Sequence, residues 1–283
     1  MAPRLVWGER TYLMGIVNVT PDSFSGDGLA VPGRSPDEIV AAALEQARGF
    51  VAAGAEILDV GAESTRPRSA YGDHPEVDAE TEAALAVPVV RALAAELGEL
   101  AIVSIDTSKG LVARAALAAG ARMVNDVWAA RRDPDTAVAA AEGGAHLVLM
   151  HNQEGADYPG GVFDTVVRWL REAVDAAVEH GVPRQRILVD PGIGFGKGTA
   201  ENVALLRRLA ELKAALGGLP LLVGTSRKRF LGELLDGAPA EDRVEGTAAT
   251  VALAIAAGAD VVRVHDVAHI DRTRRVVDAI MRG

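Results

Sequence analysis

Eight short apolar runs recur along the 283 residues, at 13–19, 56–60, 102–105, 123–127, 146–150, 187–189, 221–223 and 261–264, with stretches of helical composition between them. The runs are continuous rather than alternating, as strands buried on both faces are in a parallel sheet. Segments 36–53, 79–97, 109–119, 163–179 and 200–216 are rich in Ala, Leu, Glu and Arg and predict helices. Strand and helix alternate to the end with no Pro/Ser/Gly linker. This predicts an α/β protein in which residues 1–283 form a single (β/α)8 TIM barrel domain. A hydrophobic fraction of 49% is ample for its core.

A small repeat supports that order and gives it direction. Ala53-Gly54-Ala55, Ala119-Gly120-Ala121, Gly143-Gly144-Ala145 and Ala257-Gly258-Ala259 each stand just before an apolar run. Glycine there is expected to cap the preceding helix in the left-handed conformation and turn the chain into the sheet. These are structural positions, and they mark the amino-terminal end of each following strand.

Charge and composition remove several function classes. A net charge of −10 argues against general affinity for nucleic acid or an anionic membrane, both of which favour a basic face. The absence of cysteine leaves no disulfide framework, thiol nucleophile or thiolate metal site. With no apolar signal core and no apolar run of roughly 18 residues, a soluble cytoplasmic protein is expected. The glycines at 192–198 lack the G-x-G-x-x-G spacing of a dinucleotide site. No histidine pair has metal-ligand spacing, which argues against zinc or iron and leaves magnesium, an ion of oxygen ligands and phosphate.

Polar residues follow every predicted strand, where barrel enzymes carry their active sites. In order they are Asn18 to Gly28, Glu63 to Pro67, Asp106-Thr107, Asn125-Asp126, His151-Asn152, Asp190 to Lys197, Gly224 to Arg229 and Arg263 to Asp266. Arg66, Lys228, Arg263 and His265 form a basic set suited to a phosphate or diphosphate; salt bridges to Asp22, Asp27 or Asp266 are the structural alternative. Asp106, Asn125 and Asp190 form a second set, able to hydrogen-bond the edge of a flat heterocycle with Lys228 at its carbonyl side. The alternative there is a buried Asp190–Lys228 ion pair. The Gly/Pro/Ser-rich stretches 20–36 and 65–75 have the composition of loops that close over a substrate.

Taken in order, N-V-T-P-D-S-F at 18–24, E-S-T-R-P at 63–67, I-D-T at 105–107, N-D-V at 125–127, L-M-H at 149–151, D-P-G-I-G-F-G-K at 190–197, S-R-K at 226–228 and R-V-H-D-V at 263–267 resemble the dihydropteroate synthase family. The resemblance implies a transferase of folate biosynthesis. Such an enzyme joins 6-hydroxymethyl-7,8-dihydropterin diphosphate to p-aminobenzoate, with release of diphosphate and the help of Mg2+. It implies pterin binding by Asp106, Asn125, Met150, Asp190, Phe195, Gly224 and Lys228. Diphosphate would go to Asn18, Arg66, Arg263 and His265, with Asn18 also ligating the metal. Phe24, Thr65, Pro67 and Lys228 would line a p-aminobenzoate site where sulfonamides compete. Asp106, Asp190, Lys228, Arg263 and His265 are the expected catalytic set, and the resemblance also implies a homodimer. A pterin-dependent methyltransferase and a non-catalytic pterin-binding paralogue are the alternatives. The chain departs from the family pattern at Gly26-Asp27, Arg68, Trp128-Ala129 and Arg229.

Overall fold

A computed structural model describes residues 3–20, 28–31, 33–63 and 77–283. Its strands are β1 (Tyr12–Asn18), β2 (Ile57–Gly61), β3 (Ile102–Asp106), β4 (Met123–Asp126), β5 (His146–Met150), β6 (Ile187–Asp190), β7 (Leu222–Val223) and β8 (Val261–Val264). All pair in parallel. Each lies beside its sequence neighbour, β1 lies beside β8, and a parallel bridge between Val189 and Leu221 brings β6 against β7. The sheet therefore closes into the expected barrel.

The described helices are α1 (Pro36–Ala52), α2 (Ala79–Leu97), α3 (Gly110–Ala118), α4 (Asp135–Glu142), α5 (Val162–Glu179), α6 (Thr199–Arg207), α7 (Leu209–Ala215), α8 (Arg229–Leu234), α9 (Val244–Ala256) and α10 (Val267–Met281). They wrap the sheet. Outward strand residues such as Val17, Leu58, Val60, Val103, Ile105, Leu147 and Val189 pack on small helix residues, among them Ala43, Ala47, Ala86, Ala113 and Ala116. Alanine at those contacts keeps the helices close to the strands. None of the described helices is long and apolar enough to cross a membrane.

The inward faces explain where chemistry can sit. Successive strand side chains point to opposite faces, so inward positions recur every second residue. The lowest inward layer is apolar: Tyr12, Met14, Ile57, Ile102, Met123, Val148, Leu188, Leu222 and Val261 pack together, with Leu5 and Trp7 against them. Two residues further along the strands the inward positions read Asp59, Ser104, Asn125, Met150, Asp190, Gly224 and Arg263. Hydrophobic residues plug the lower end of the barrel, and polar residues fill the carboxyl end.

The glycine repeat is one motif used four times. Gly54, Gly120, Gly144 and Gly258 have φ of 102°, 112°, 58° and 92°. At Gly120 the glycine N–H donates to Leu117 O and the next residue, Ala121, to Ala116 O; the other three sites repeat the pattern. Paired bonds of this kind close a helix end with a left-handed residue. One expected helix is divided: 200–216 forms α6 and α7, which break at Arg208 (φ −119°, ψ 20°). The guanidinium of Arg208 lies 3.6 Å from the centre of the Phe163 ring, tying the break to α5.

Two of these glycines differ in what a side chain would meet. A Cβ on Gly144 would have open space, whereas one on Gly120 would lie 2.6 Å from Ala94 Cβ. Gly144→Ala should therefore cost about 1–2 kcal/mol, the left-handed penalty alone. Gly120→Ala should cost more, and urea unfolding of the two variants checks the order.

Candidate active site

The upper inward layer brings six charged groups into one volume. Arg263 on β8 donates from Nε to Asp59 Oδ2 at 2.7 Å and from an Nη to Asp106 Oδ2 at 2.8 Å. Asn125 on β4 donates to the same Asp59 oxygen at 2.9 Å. Asp190 at the end of β6 accepts from Gly192 N–H at 2.7 Å, with Lys228, Lys197 and Arg263 close enough to favour its charge. Asp59, Asp106 and Asp190 are almost fully buried.

One guanidinium thus serves two carboxylates, and burial outweighs it at Asp106. Loss of hydration pushes the Asp106 carboxyl up to about 8, against the pull of Arg263 and with a further push from Asp59. Burial also raises Asp190 to about 6, against its bond from Gly192 N–H and the charge of Lys228. Asp59 Oδ1 and Asp106 Oδ1 are buried and have no hydrogen-bond partner among the described residues. Orphaned buried acceptors are costly, so they mark a place prepared for donors on a ligand.

An apolar wall stands beside these acceptors. Val127, Met150 and Phe195 form a buried cluster with Trp128 packed against it. Lys228 Nζ lies 3.9 Å from the centre of the Phe195 ring. Gly224 continues the inward row after β7, and a Cβ there would meet only Arg263, at 3.7 Å. No neighbouring protein atom forces glycine at that position; a flat ligand lying close to the backbone would. The Trp128 ring is covered by Arg132, 3.7 Å from its centre, and Arg229 pairs with Glu233 on the exposed face of α8.

The last two strand ends are joined by side chains. Ser226 Oγ accepts from His265 N–H at 3.1 Å and lies 3.0 Å from His265 Nδ1. Arg227 grips Asp266 with Nε to Oδ2 at 2.9 Å and a second contact at 2.5 Å. Arg227 has φ of +57°, an uncommon left-handed value for a side-chain-bearing residue. Asp266, one of the acids offered as a structural partner for the basic set, is held by Arg227.

Asn18 ends β1, and its carbonyl accepts from Leu29 N–H at 2.9 Å, while Thr20 O accepts from Ala30 N–H at 3.2 Å. The base of the first loop is zipped by these bonds. Glu63 accepts from Val77 N–H at 3.0 Å and from Lys109 at 2.6 Å, and Lys109 also reaches Glu82. The predicted residues Phe24, Thr65, Arg66 and Pro67, with Asp22, Asp27 and Arg68, lie outside the described residues. Asn18, Asp106, Asn125, Met150, Asp190, Phe195, Gly224, Lys228, Arg263 and His265 all gather at the carboxyl end of the barrel.

Two members of the site were missed in the sequence. Asp59 lies inside a predicted strand, and the signal was its place two residues before Gly61 on the inward phase, where an isolated charge interrupts an apolar run. Lys197 stands in the glycine cluster without an assigned role in the sequence reading, although it is partly buried and its charge acts on Asp190.

Comparison with known proteins agrees with this geometry. The family model described as "Pterin binding enzyme" matches residues 14–265. A dihydropteroate synthase from Synechocystis is 42% identical, over 98% of this chain and 92% of its own. The Clostridium difficile dihydropteroate synthase crystallised in the presence of pteroic acid has a TM-score of 0.89 and 41% identity, covering 99% of this chain and 100% of that one. The Xanthomonas albilineans dihydropteroate synthase in complex with 7,8-dihydropteroate has a TM-score of 0.83 and 40% identity, covering 97% and 95%. With a barrel whose carboxyl end carries buried acceptors beside an aromatic wall, and with relatives matched along nearly its whole length, this chain belongs to the dihydropteroate synthase family of pterin-binding enzymes.

Proposed function

We propose that the chain condenses 6-hydroxymethyl-7,8-dihydropterin diphosphate with p-aminobenzoate to give 7,8-dihydropteroate and diphosphate. The observation that carries this is the convergence of Asp59, Asp106 and Asp190, two of them with an orphaned buried oxygen, beside the Met150–Phe195 wall. A pterin edge presents N–H donors next to a carbonyl. Asp106, Asn125 and Asp190 would take the donors and Lys228 the carbonyl, with Met150 and Phe195 against the ring faces and Gly224 allowing close approach.

The diphosphate would extend toward Asn18, Arg66, Arg263 and His265. The guanidinium fork of Arg263 has more donors than Asp59 and Asp106 take, so it would join the two halves of the site. Departure of diphosphate leaves an electron-poor pterin methylene, which the aromatic amine of p-aminobenzoate captures. The cations stabilise charge growing on the leaving oxygens, and ionised Asp190 favours the cationic ring while Asp106 offers it a hydrogen-bond acceptor. No covalent enzyme intermediate is required. Phe24, Thr65, Pro67 and Lys228 would hold p-aminobenzoate, and sulfonamides of similar shape would compete there.

Mg2+ fits the donor chemistry. Among the described residues no three His, Cys, Asp or Glu side chains gather as an all-protein metal cage. Magnesium commonly takes one or two protein oxygens and completes its shell with water and substrate phosphate. Asn18, at the mouth of β1, would supply the protein oxygen. When bound, the ion would neutralise charge on the departing diphosphate.

A homodimer is also proposed. Leu253 on α9 and Val276, Ile280 and Met281 on α10 are 62%, 60%, 74% and 51% exposed, and both helices lie on the outside of the barrel. A patch of large apolar side chains of this kind is characteristic of an association surface. Sedimentation should give a dimer mass, and Ile280→Asp should shift it toward monomer without loss of turnover per active site.

The defining test is incubation of the chain with the dihydropterin diphosphate, magnesium and p-aminobenzoate while diphosphate release is followed. Release dependent on p-aminobenzoate is expected; none would favour the non-catalytic paralogue. Arg263→Ala should lower kcat/KM for the diphosphate substrate roughly 10- to 100-fold, the loss of charge-assisted hydrogen bonds. Pterin binding uses ionised Asp190, whose carboxyl titrates at about 6. Pterin affinity by calorimetry should therefore fall as pH drops through that value, and Asp190→Asn should be weak at every pH.

A further inference from the structure

The glycine loop after β6 is built around a partly buried cation. Lys197 Nζ donates to Gly192 O and Phe195 O, both at 2.9 Å, and lies 2.9 Å from His151 Nδ1. An ammonium has three N–H donors, and all three are matched. The rest of the loop is also bound: Tyr158 O–H donates to Gly196 O at 2.6 Å, Gly194 N–H to Asn202 Oδ1 at 2.7 Å, and Asn202 Nδ2 to Gly198 O at 2.8 Å. Gly192, Gly194 and Gly196 have φ of 68°, 83° and 55°. A Cβ at Gly192 would lie 1.9 Å from His151 O, and one at Gly196 would lie 2.3 Å from Gln153 O.

That loop presents Phe195 to the pterin wall and to Lys228. We propose that Lys197, seated on His151, is a positioning residue for the pterin site: it fixes the Phe195 loop and supplies a second cation to Asp190. The proposal rests on the assignment of this site to the pterin. It gives a purpose to a partly buried charge whose three donors are all turned into the loop.

The electrostatics agree with the geometry. Burial brings Lys197 down to about 7, with Asp190 opposing that fall and Lys228 adding to it. His151 is held far below its ordinary range by burial, with the charge of Lys197 adding to the effect, so it is neutral and can accept from the ammonium. His151 Nε2 has no hydrogen-bond partner among the described residues, and the ring meets Trp169 edge-on at 5.0 Å. The other charged groups acting on this pair are Asp190 at the end of β6, Lys228 after β7, and Arg131 between β4 and α4; Arg263 from β8 also acts on Asp190.

The test is calorimetry of a 6-hydroxymethyl dihydropterin on the full chain over a pH series, with steady-state kinetics alongside. Lys197→Met should weaken pterin affinity about tenfold and move the acid limb of binding to higher pH, because Asp190 loses a cation. KM for p-aminobenzoate should stay near wild type. Tyr158→Phe removes a loop bond but no charge and should leave the acid limb in place. If it moves the limb as Lys197→Met does, the charge role is overturned. If Lys197→Met fails to fold, His151→Gln, which keeps an acceptor, should retain pterin affinity and His151→Phe should lose it; equal affinities overturn the proposal. Unchanged affinity and acid limb in Lys197→Met overturn it alone, whereas no pterin binding by the unaltered chain overturns the site assignment with it.

Discussion

Inside a closed parallel barrel, every second side chain of every strand must point toward the axis, and water reaches the axis only through the ends. At the amino end of this barrel those positions carry Tyr12, Met14, Ile57, Ile102, Met123 and their neighbours, and Leu5 and Trp7 lie against them. At the carboxyl end the same phase carries Asp59, Asn125, Asp190 and Arg263. The apolar layer closes one end. Polar groups two residues further on are thus held in a buried setting open only to what enters from above.

Burial makes these charges consequential. A carboxylate without water is raised toward its neutral form unless a partner holds it, and here Arg263 is divided between Asp59 and Asp106. Among the described residues neither acid is fully satisfied, since each keeps a buried oxygen without a partner there. A ligand edge with several N–H donors would complete both at once. The cost of leaving such acceptors unpaired is also a source of selectivity, because a ligand lacking those donors would leave them empty.

Rigidity around the site comes from bonds between loops. Ser226 joins His265, Arg227 joins Asp266, and Lys197 binds the carbonyls of its own glycine loop. The ends of the two loops after β1 and β2 are likewise tied, through Asn18 with Leu29 and Glu63 with Val77. Each bond places a residue proposed to meet substrate, or its neighbour, on a supported segment, which is what a site acting through orientation and electrostatics needs.

Strand order, the helices at 36–52, 79–97, 110–118 and 162–179, and the direction of the four units marked by glycine were legible in the sequence. They follow from local rules: apolar runs of strand length, Ala-rich helical stretches and glycines at helix ends, four of which take the left-handed φ that their A-G-A or G-G-A setting implied. The polar residues of the site were legible for the same reason, as they stand where each apolar run stops. Their partners were not. That Arg263 reaches Asp59 and Asp106 across 204 and 157 residues, that Asp266 belongs to Arg227, and that Lys197 meets His151 depend on barrel closure and on which loops meet. The sequence by itself determined which residues reach the carboxyl end of the barrel, because strand phase is local. Only the tertiary structure decided how their charges are shared, because pairing among buried groups is set by distances between strands far apart in the chain.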